Sequence, residues 1–303
     1  MSTINIKDNA NIRDCSGTLG EHIMHRLSGG PIKTKIIITN HDTGEVLGEI
    51  SNKILVPGSM ITASKQFGLE YPMIKFPTYN SELFLDRRHA DWEDAPDSSG
   101  FITCLWCAGD SGCGSSPDDV VVVKNTDRIG ITKDILPFRY IEVGENDRDI
   151  TADEREVYFG RRTFTDDRGV MMRAYYFKKF DTEPQLNIKY LDGTEVTENM
   201  WSQTGQDNQA VEIYVEMRLA LSRTDFREYF AIKKPDPTVL AEVSTISLVT
   251  AWSEKIPDDP DAPLGAPTYY YYQDILPFSK FNFRTEKLDD KTRAIDFNYQ
   301  IFY

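Results

Sequence analysis

Residues 210–221, AVEIYVEMRLAL, set the period that most constrains this chain. Val211, Ile213, Val215, Met217 and Leu219 are apolar, Glu212, Glu216 and Arg218 are charged, and Tyr214 is amphipathic. Successive side chains of a strand point to opposite faces, so a period of two means one buried and one wet face. That is the signature of a half-buried antiparallel strand. The last ten residues, Ala294 to Tyr303, alternate in the same way. A terminal strand this apolar is a sticky edge unless paired or covered, so it is expected inside a sheet, its own or a neighbour's.

The rest of the chain follows the same grammar. Ile32 to Thr39 and Glu45 to Ile50 flank an Asn40–Gly44 turn and read as a β-hairpin. Further strands are expected at 101–107, 120–123, 132–143, 162–190, 239–252 and 268–283. Helices are few. Ser59 and Gly68 suit the ends of one helix. Thr151-Ala152-Asp153-Glu154 is a capping box for another, with Val157 to Phe159 as its apolar side and Gly160 as its stop. Ser222 to Asp225 opens a third, reaching Phe230. The expected fold is mainly β, with antiparallel sandwich- or barrel-like sheets and a few short helices. Residues 1–30 read as an N-terminal arm, 31–150 as a first β-rich region and 151–303 as a second; the two regions are able to pack as one.

Composition bounds the function. With 40% hydrophobic and 27% charged residues, a packed core is within reach. The formal net charge of −14 opposes phosphate backbones, so direct nucleic-acid binding is not expected. The first residues lack a basic segment followed by an apolar one, and no run approaches the roughly 20 residues of a membrane-spanning helix. The chain is therefore expected to stay in a cytoplasm, without a membrane partner.

Motifs that could carry chemistry fare poorly. Cys104, Cys107 and Cys113 have a C-x2-C-x5-C spacing, half of a zinc signature. Three apart on a strand, Cys104 and Cys107 are expected on opposite faces, as small buried cysteines. Gly109-Asp110-Ser111-Gly112 resembles a serine-nucleophile turn, but all four histidines (His22, His25, His41 and His89) precede it without a recognisable context. A flexible turn is expected instead. The acidic loop Asp86 to Gly100, and the pairs Asp118-Asp119, Asp166-Asp167, Asp258-Asp259 and Asp289-Asp290, read as solvated surface. No residue is assigned a catalytic, cofactor-binding or metal role, and the chain is expected not to be an enzyme.

Asp-Ile-Leu-Pro-Phe occurs twice, at 134–138 and 274–278. A reused structural junction, with Pro at a sheet edge and Leu and Phe packed inward, is expected to explain it. The first copy belongs to a longer pattern: Gly112-Cys113-Gly114, Asp134 to Tyr140, and the capping-box helix ending Tyr158-Phe159-Gly160-Arg161-Arg162. Phe76-Pro77-Thr78-Tyr79-Asn80 and the Ser59-led helix add to it. Over roughly residues 30–235 this pattern resembles virion structural proteins of tailed bacteriophages. The resemblance implies a repeated, non-enzymatic particle component. It would be made in the host bacterial cytoplasm, located in the virion, and partnered by its own copies and other virion proteins. Neck, tail or baseplate is favoured over the capsid shell, since no long helix is in view. The arm and the terminal strand are the expected contacts. The alternative reading is a carbohydrate- or host-surface-binding β module, motivated by the aromatics Trp92, Trp201 and Tyr269 to Tyr272; less favoured is a cell-wall hydrolase.

Overall fold

The last strand of the chain lies at the centre of a sheet. In the computed structural model β13 (Ile295–Phe302) is hydrogen-bonded on one side to β1 (Lys33–Asn40) and on the other to β10 (Val211–Leu221). β2 (Val46–Asn52) and β9 (Gln185–Tyr190) complete this first sheet, in the order β2-β1-β13-β10-β9, all neighbours antiparallel. The apolar terminal strand is thus absorbed by its own chain. The structure describes residues 33–52, 54–69, 78–86, 100–115, 121–124, 131, 134–190, 211–236, 238–257, 265, 268–288 and 294–303. The expected arm, Trp92, Trp201 and three of the four acidic pairs lie outside them.

The second sheet is built around β3 (Phe101–Gly109) and β11 (Ala241–Pro257), with β12 (Thr268–Leu288) outside β11. On the other side β3 meets β8 (Met171–Lys179) through Leu105 and Trp106. β6 (Arg139–Glu142) and β7 (Tyr158–Thr165) both pair with Tyr175 of β8, so they flank it on opposite edges. A two-stranded ribbon, β4 (Cys113–Ser115) with β5 (Val121–Val123), is hydrogen-bonded into neither ladder and packs beside β12. The apolar run Val120 to Val123 predicts a buried strand, but Val123 is exposed. Each sheet takes strands from both sides of residue 150, and neither closes into a barrel.

The two sheets face each other across an aromatic core. Ile36, Met217, Leu219, Phe297 and Tyr299 of the first meet Trp106, Val243, Ile246, Leu248 and Phe281 of the second. Ring centroids of Phe281 and Tyr299 are 5.2 Å apart, and those of Trp106 and Phe297 6.4 Å. These are ordinary separations for packed rings. Each such side chain stabilises the sandwich by about 1.5–3 kcal/mol on burial. The opposite face of the second sheet buries Leu105, Cys107, Val249, Ile275 and Phe177 beneath Tyr79, Leu83 and Leu85.

The helices are short. α1 (Val56–Phe67) starts three residues before Ser59, because Pro57 suits a first turn and the Leu55 N–H is fixed to the Phe278 carbonyl at 2.8 Å. Gly68 ends it in the left-handed conformation, as expected. α2 (Tyr79–Glu82) and α3 (Ala152–Arg155) are single turns closed by capping boxes on Thr78 and Thr151. α3 ends earlier than the sequence suggested: Tyr158 to Gly160 already belong to β7. α4 (Arg227–Lys233) starts after Phe226 and runs past Phe230.

Both Asp-Ile-Leu-Pro-Phe copies lie beside the β3–β11 pair. Ile135 bridges Gly109 of β3, while Pro277 and Leu276 pair with Val249 and Thr250 of β11. Ile135 and Ile275 enter the second cluster, Phe138 and Phe278 the first. The first copy is irregular, and its strand begins only at Arg139; the second lies within β12 where its register against β11 shifts, with Asp274 at a positive φ of 47°.

Candidate functional site

A cleft opens where the β11–β12 hairpin runs beyond β3 and passes over β7. It holds about 60 Å³ and is lined by Leu85, Asp86, Arg155, Tyr158 to Arg161, Tyr175 and Tyr269 to Tyr272. Pockets that engulf a small molecule measure roughly 300–1,000 Å³, so this one can hold only the edge of a ligand. The tyrosine row is not uniformly exposed. Tyr272 is buried, its ring edge-on to Phe159 at 4.7 Å, whereas Tyr270, two residues away on the same strand face and nearer the hairpin end, is 42% exposed and opposite Lys255.

The polar wall of the cleft is an alternating set of arginines and aspartates. Arg161 Nε donates to Asp86 Oδ2 at 2.9 Å, and its Nη1 reaches Asp149 Oδ2 at 3.4 Å. Asp149 also accepts from Arg155 at 2.8 Å and from the Tyr175 hydroxyl at 2.7 Å. The guanidinium of Arg155 lies 5.0 Å from the Tyr269 ring centroid. Burial works against the Arg161 charge, but the neighbouring Tyr175, Asp86 and Asp149 outweigh it and raise its pKa. Burial, reinforced by Asp149, raises the Tyr175 pKa as well.

Asp86 has a second task. Its N–H donates to the Arg161 carbonyl at 2.8 Å, and its carboxylate accepts the Thr163 N–H at 2.7 Å. It therefore pairs with the outer edge of β7 as a strand would, blunting that edge. Gly160 sits between, at a φ of 68°, and a Cβ there would collide with the Phe177 ring. Only glycine fits this floor.

Behind the cleft, Tyr158 leads to a buried charge cluster that the sequence did not disclose. Asp225 has no exposed side-chain surface. It accepts from the Tyr158 hydroxyl at 3.0 Å, Arg139 Nη1 at 3.2 Å, Lys178 Nζ at 3.3 Å and the Ser222 N–H at 2.8 Å. Arg139 also stacks over the Tyr158 ring at 4.0 Å and donates to Glu154 at 2.8 Å. Burial, followed by the charge of Asp225, raises the Tyr158 pKa. The cluster ties β6, β7 and β8 to the β10–α4 turn. Its members come from distant stretches, so no local pattern could have exposed it.

The motifs singled out in the sequence resolve as structure. Cys104 and Cys107 were expected on opposite faces; instead both contribute to the second cluster. The register between β3 and β11 shifts beside Cys104, and that extra residue reverses the alternation. Burial pushes the Cys104 thiol up to about 11 and the Cys107 thiol up to about 12. Cys113 donates to the Phe283 carbonyl at 2.8 Å. Among the described residues, no group of three His, Cys, Asp or Glu side chains could hold a metal ion. Ser111 pairs through both its hydroxyl and its N–H with Asp134, the first residue of the repeat. His41 contacts Asp296 and Arg218 on the outer face of the first sheet. Asp166 closes the β7–β8 turn by accepting the Val170 N–H at 3.0 Å.

Comparison with protein-family models, with curated proteins and with solved structures finds no match to this chain. Among the described residues no helix is long and apolar enough to cross a membrane.

Proposed function

We propose that this chain is a non-enzymatic structural subunit of a tailed-bacteriophage virion, present in many copies, in the neck, tail or baseplate rather than the capsid shell. The observation that carries this reading is the work done by the residues that bear the resemblance. Asp134 locks the Ser111 turn, Leu136 and Phe138 fill the core, and Arg139 and Tyr158 close on Asp225. They act as scaffold residues, which is what a repeated particle component needs. Contacts between copies are assigned to the rest of the surface, because the terminal strand is already consumed within the chain. Interrupting the coding sequence and imaging the resulting particles tests this. Particles lacking a neck, tail or baseplate piece support it; complete particles of normal shape contradict it.

A second reading, a module that binds a host-surface glycan, is favoured by one observation: the half-exposed tyrosines beside the charged cleft. A flat ring offers a stacking face for the apolar side of a sugar. A glycan array read with the purified protein decides it, and a blank array counts against it.

A further inference from the structure

We propose that the cleft between β7 and the β11–β12 hairpin binds the edge of one neutral sugar ring, with Arg161 and Asp86 gripping adjacent hydroxyls against Tyr270. The inference rests on the glycan reading above and specifies its site and ligand class.

Three features of the cleft carry it. The first is unspent hydrogen-bonding capacity. A guanidinium has five N–H donors. Arg161 uses its Nε–H on Asp86 and one Nη1–H on Asp149, and among the described residues nothing accepts the others. Its side chain is 29% exposed and lines the cleft. Asp86 receives three donors, the Thr163 N–H on Oδ1 and two on Oδ2, leaving Oδ1 able to accept one more. A donor fork beside an open acceptor matches a pair of neighbouring hydroxyls, each of which both gives and takes a hydrogen bond.

The second feature is charge. Arg161 is already ion-paired to Asp86 at 2.9 Å and Arg155 to Asp149 at 2.8 Å, while Lys255 Nζ lies 5.3 Å from the Tyr270 ring centroid. A carboxylate or phosphate approaching Arg161 meets Asp86 beside it, and an ammonium approaching Asp86 meets Arg161. A neutral polar ligand pays neither cost. The third is shape. About 60 Å³ beside a 42% exposed tyrosine admits a ring edge and a stacking contact, and excludes a buried ligand. Affinity per site is therefore low, and many copies on one particle would raise it through avidity.

Saturation-transfer NMR with the full-length protein tests this. The probes are methyl glycosides of glucose, galactose, mannose and N-acetylglucosamine, with glucuronic acid as the charged comparison. At least one neutral glycoside is expected to bind, with glucuronic acid weaker. Tyr270→Ala, at an exposed position, is expected to weaken binding about fivefold, the loss of one aromatic contact. Arg161→Lys keeps the charge but loses the fork, and is expected to abolish binding while the thermal melt confirms folding. Glycan binding that persists unchanged in Tyr270→Ala overturns the site but leaves the glycan reading standing. Equal or tighter binding of glucuronic acid overturns the neutral-ligand assignment. No binding by any probe, together with a blank glycan array, removes both.

Discussion

The Tyr158 hydroxyl donates a hydrogen bond to Asp225 at 3.0 Å, across 67 residues of sequence, at a point where the Asp225 side chain has no contact with solvent. The same carboxylate neutralises Arg139 and Lys178. Removing one partner of a buried ion pair costs about 3–5 kcal/mol, because the other charge is left without compensation. Asp225→Ala takes the buried carboxylate from both cations, leaving Arg139 with Glu154 and Lys178 with Asp181. Urea unfolding is expected to show a loss of about that size, or no folded protein. Arg148→Ala, at an exposed pair with Glu228, serves as the control and is expected to leave the midpoint unchanged.

Glu154 links this cluster to the Thr151 capping box. Burial favours its neutral form, but hydrogen bonds from Arg139 and the Thr151 backbone outweigh that and lower its pKa. A folded-state pKa below the unfolded value gives stability that is present above the ordinary value of 4.5 and lost as pH falls through the depressed one. Glu154→Gln is expected to lose about 1 kcal/mol near neutral pH, since a third of the side chain is exposed. As pH falls from about 4.5 through the depressed value, the gap between variant and parent is expected to close. Unfolding curves across the acid range check this; a constant gap at every pH rules out the Glu154 contribution.

The two cysteines brought together by the β3 bulge are expected to be inert. With thiols raised to about 11 and about 12 by burial, almost none is thiolate at pH 8. A chromogenic disulfide reagent is expected to miss Cys104 and Cys107 in the native protein and to titrate both in urea. Rapid native labelling at either position, located by peptide mapping, contradicts their burial.

Phe297 is wholly buried and touches Trp106 and Phe283 across the sandwich. Phe297→Ala is expected to cost about 3–5 kcal/mol in urea unfolding. Deleting 294–303 takes out the central strand of the first sheet and is expected to leave insoluble chain rather than an assembly variant.

The strands were legible where one face is wet and the other buried. Ala210–Leu221 and Ala294–Tyr303 carry that alternation openly, and both became neighbours in the first sheet. The capping box at Thr151 was legible too, since it is a contact within four residues. The length of its helix was not. Phe159 and Gly160 fit a helix end as well as a strand start, and their pairing with the Phe177 segment of β8 decided the matter. The Cys104 prediction failed because a bulge adds one residue and reverses every side chain beyond it. The cleft was half visible. Tyr269 to Tyr272 stood out by composition, whereas Asp86, Asp149, Arg155 and Arg161 converge only through tertiary structure, as do Asp225 and Lys178.

The most direct test of a particle role is a cryo-electron microscopy reconstruction of the purified virion at a resolution that separates strands. The sandwich, with β13 between β1 and β10, is expected to fit density in symmetry-related copies in the neck, tail or baseplate. Particles complete in density and composition without this chain would contradict it.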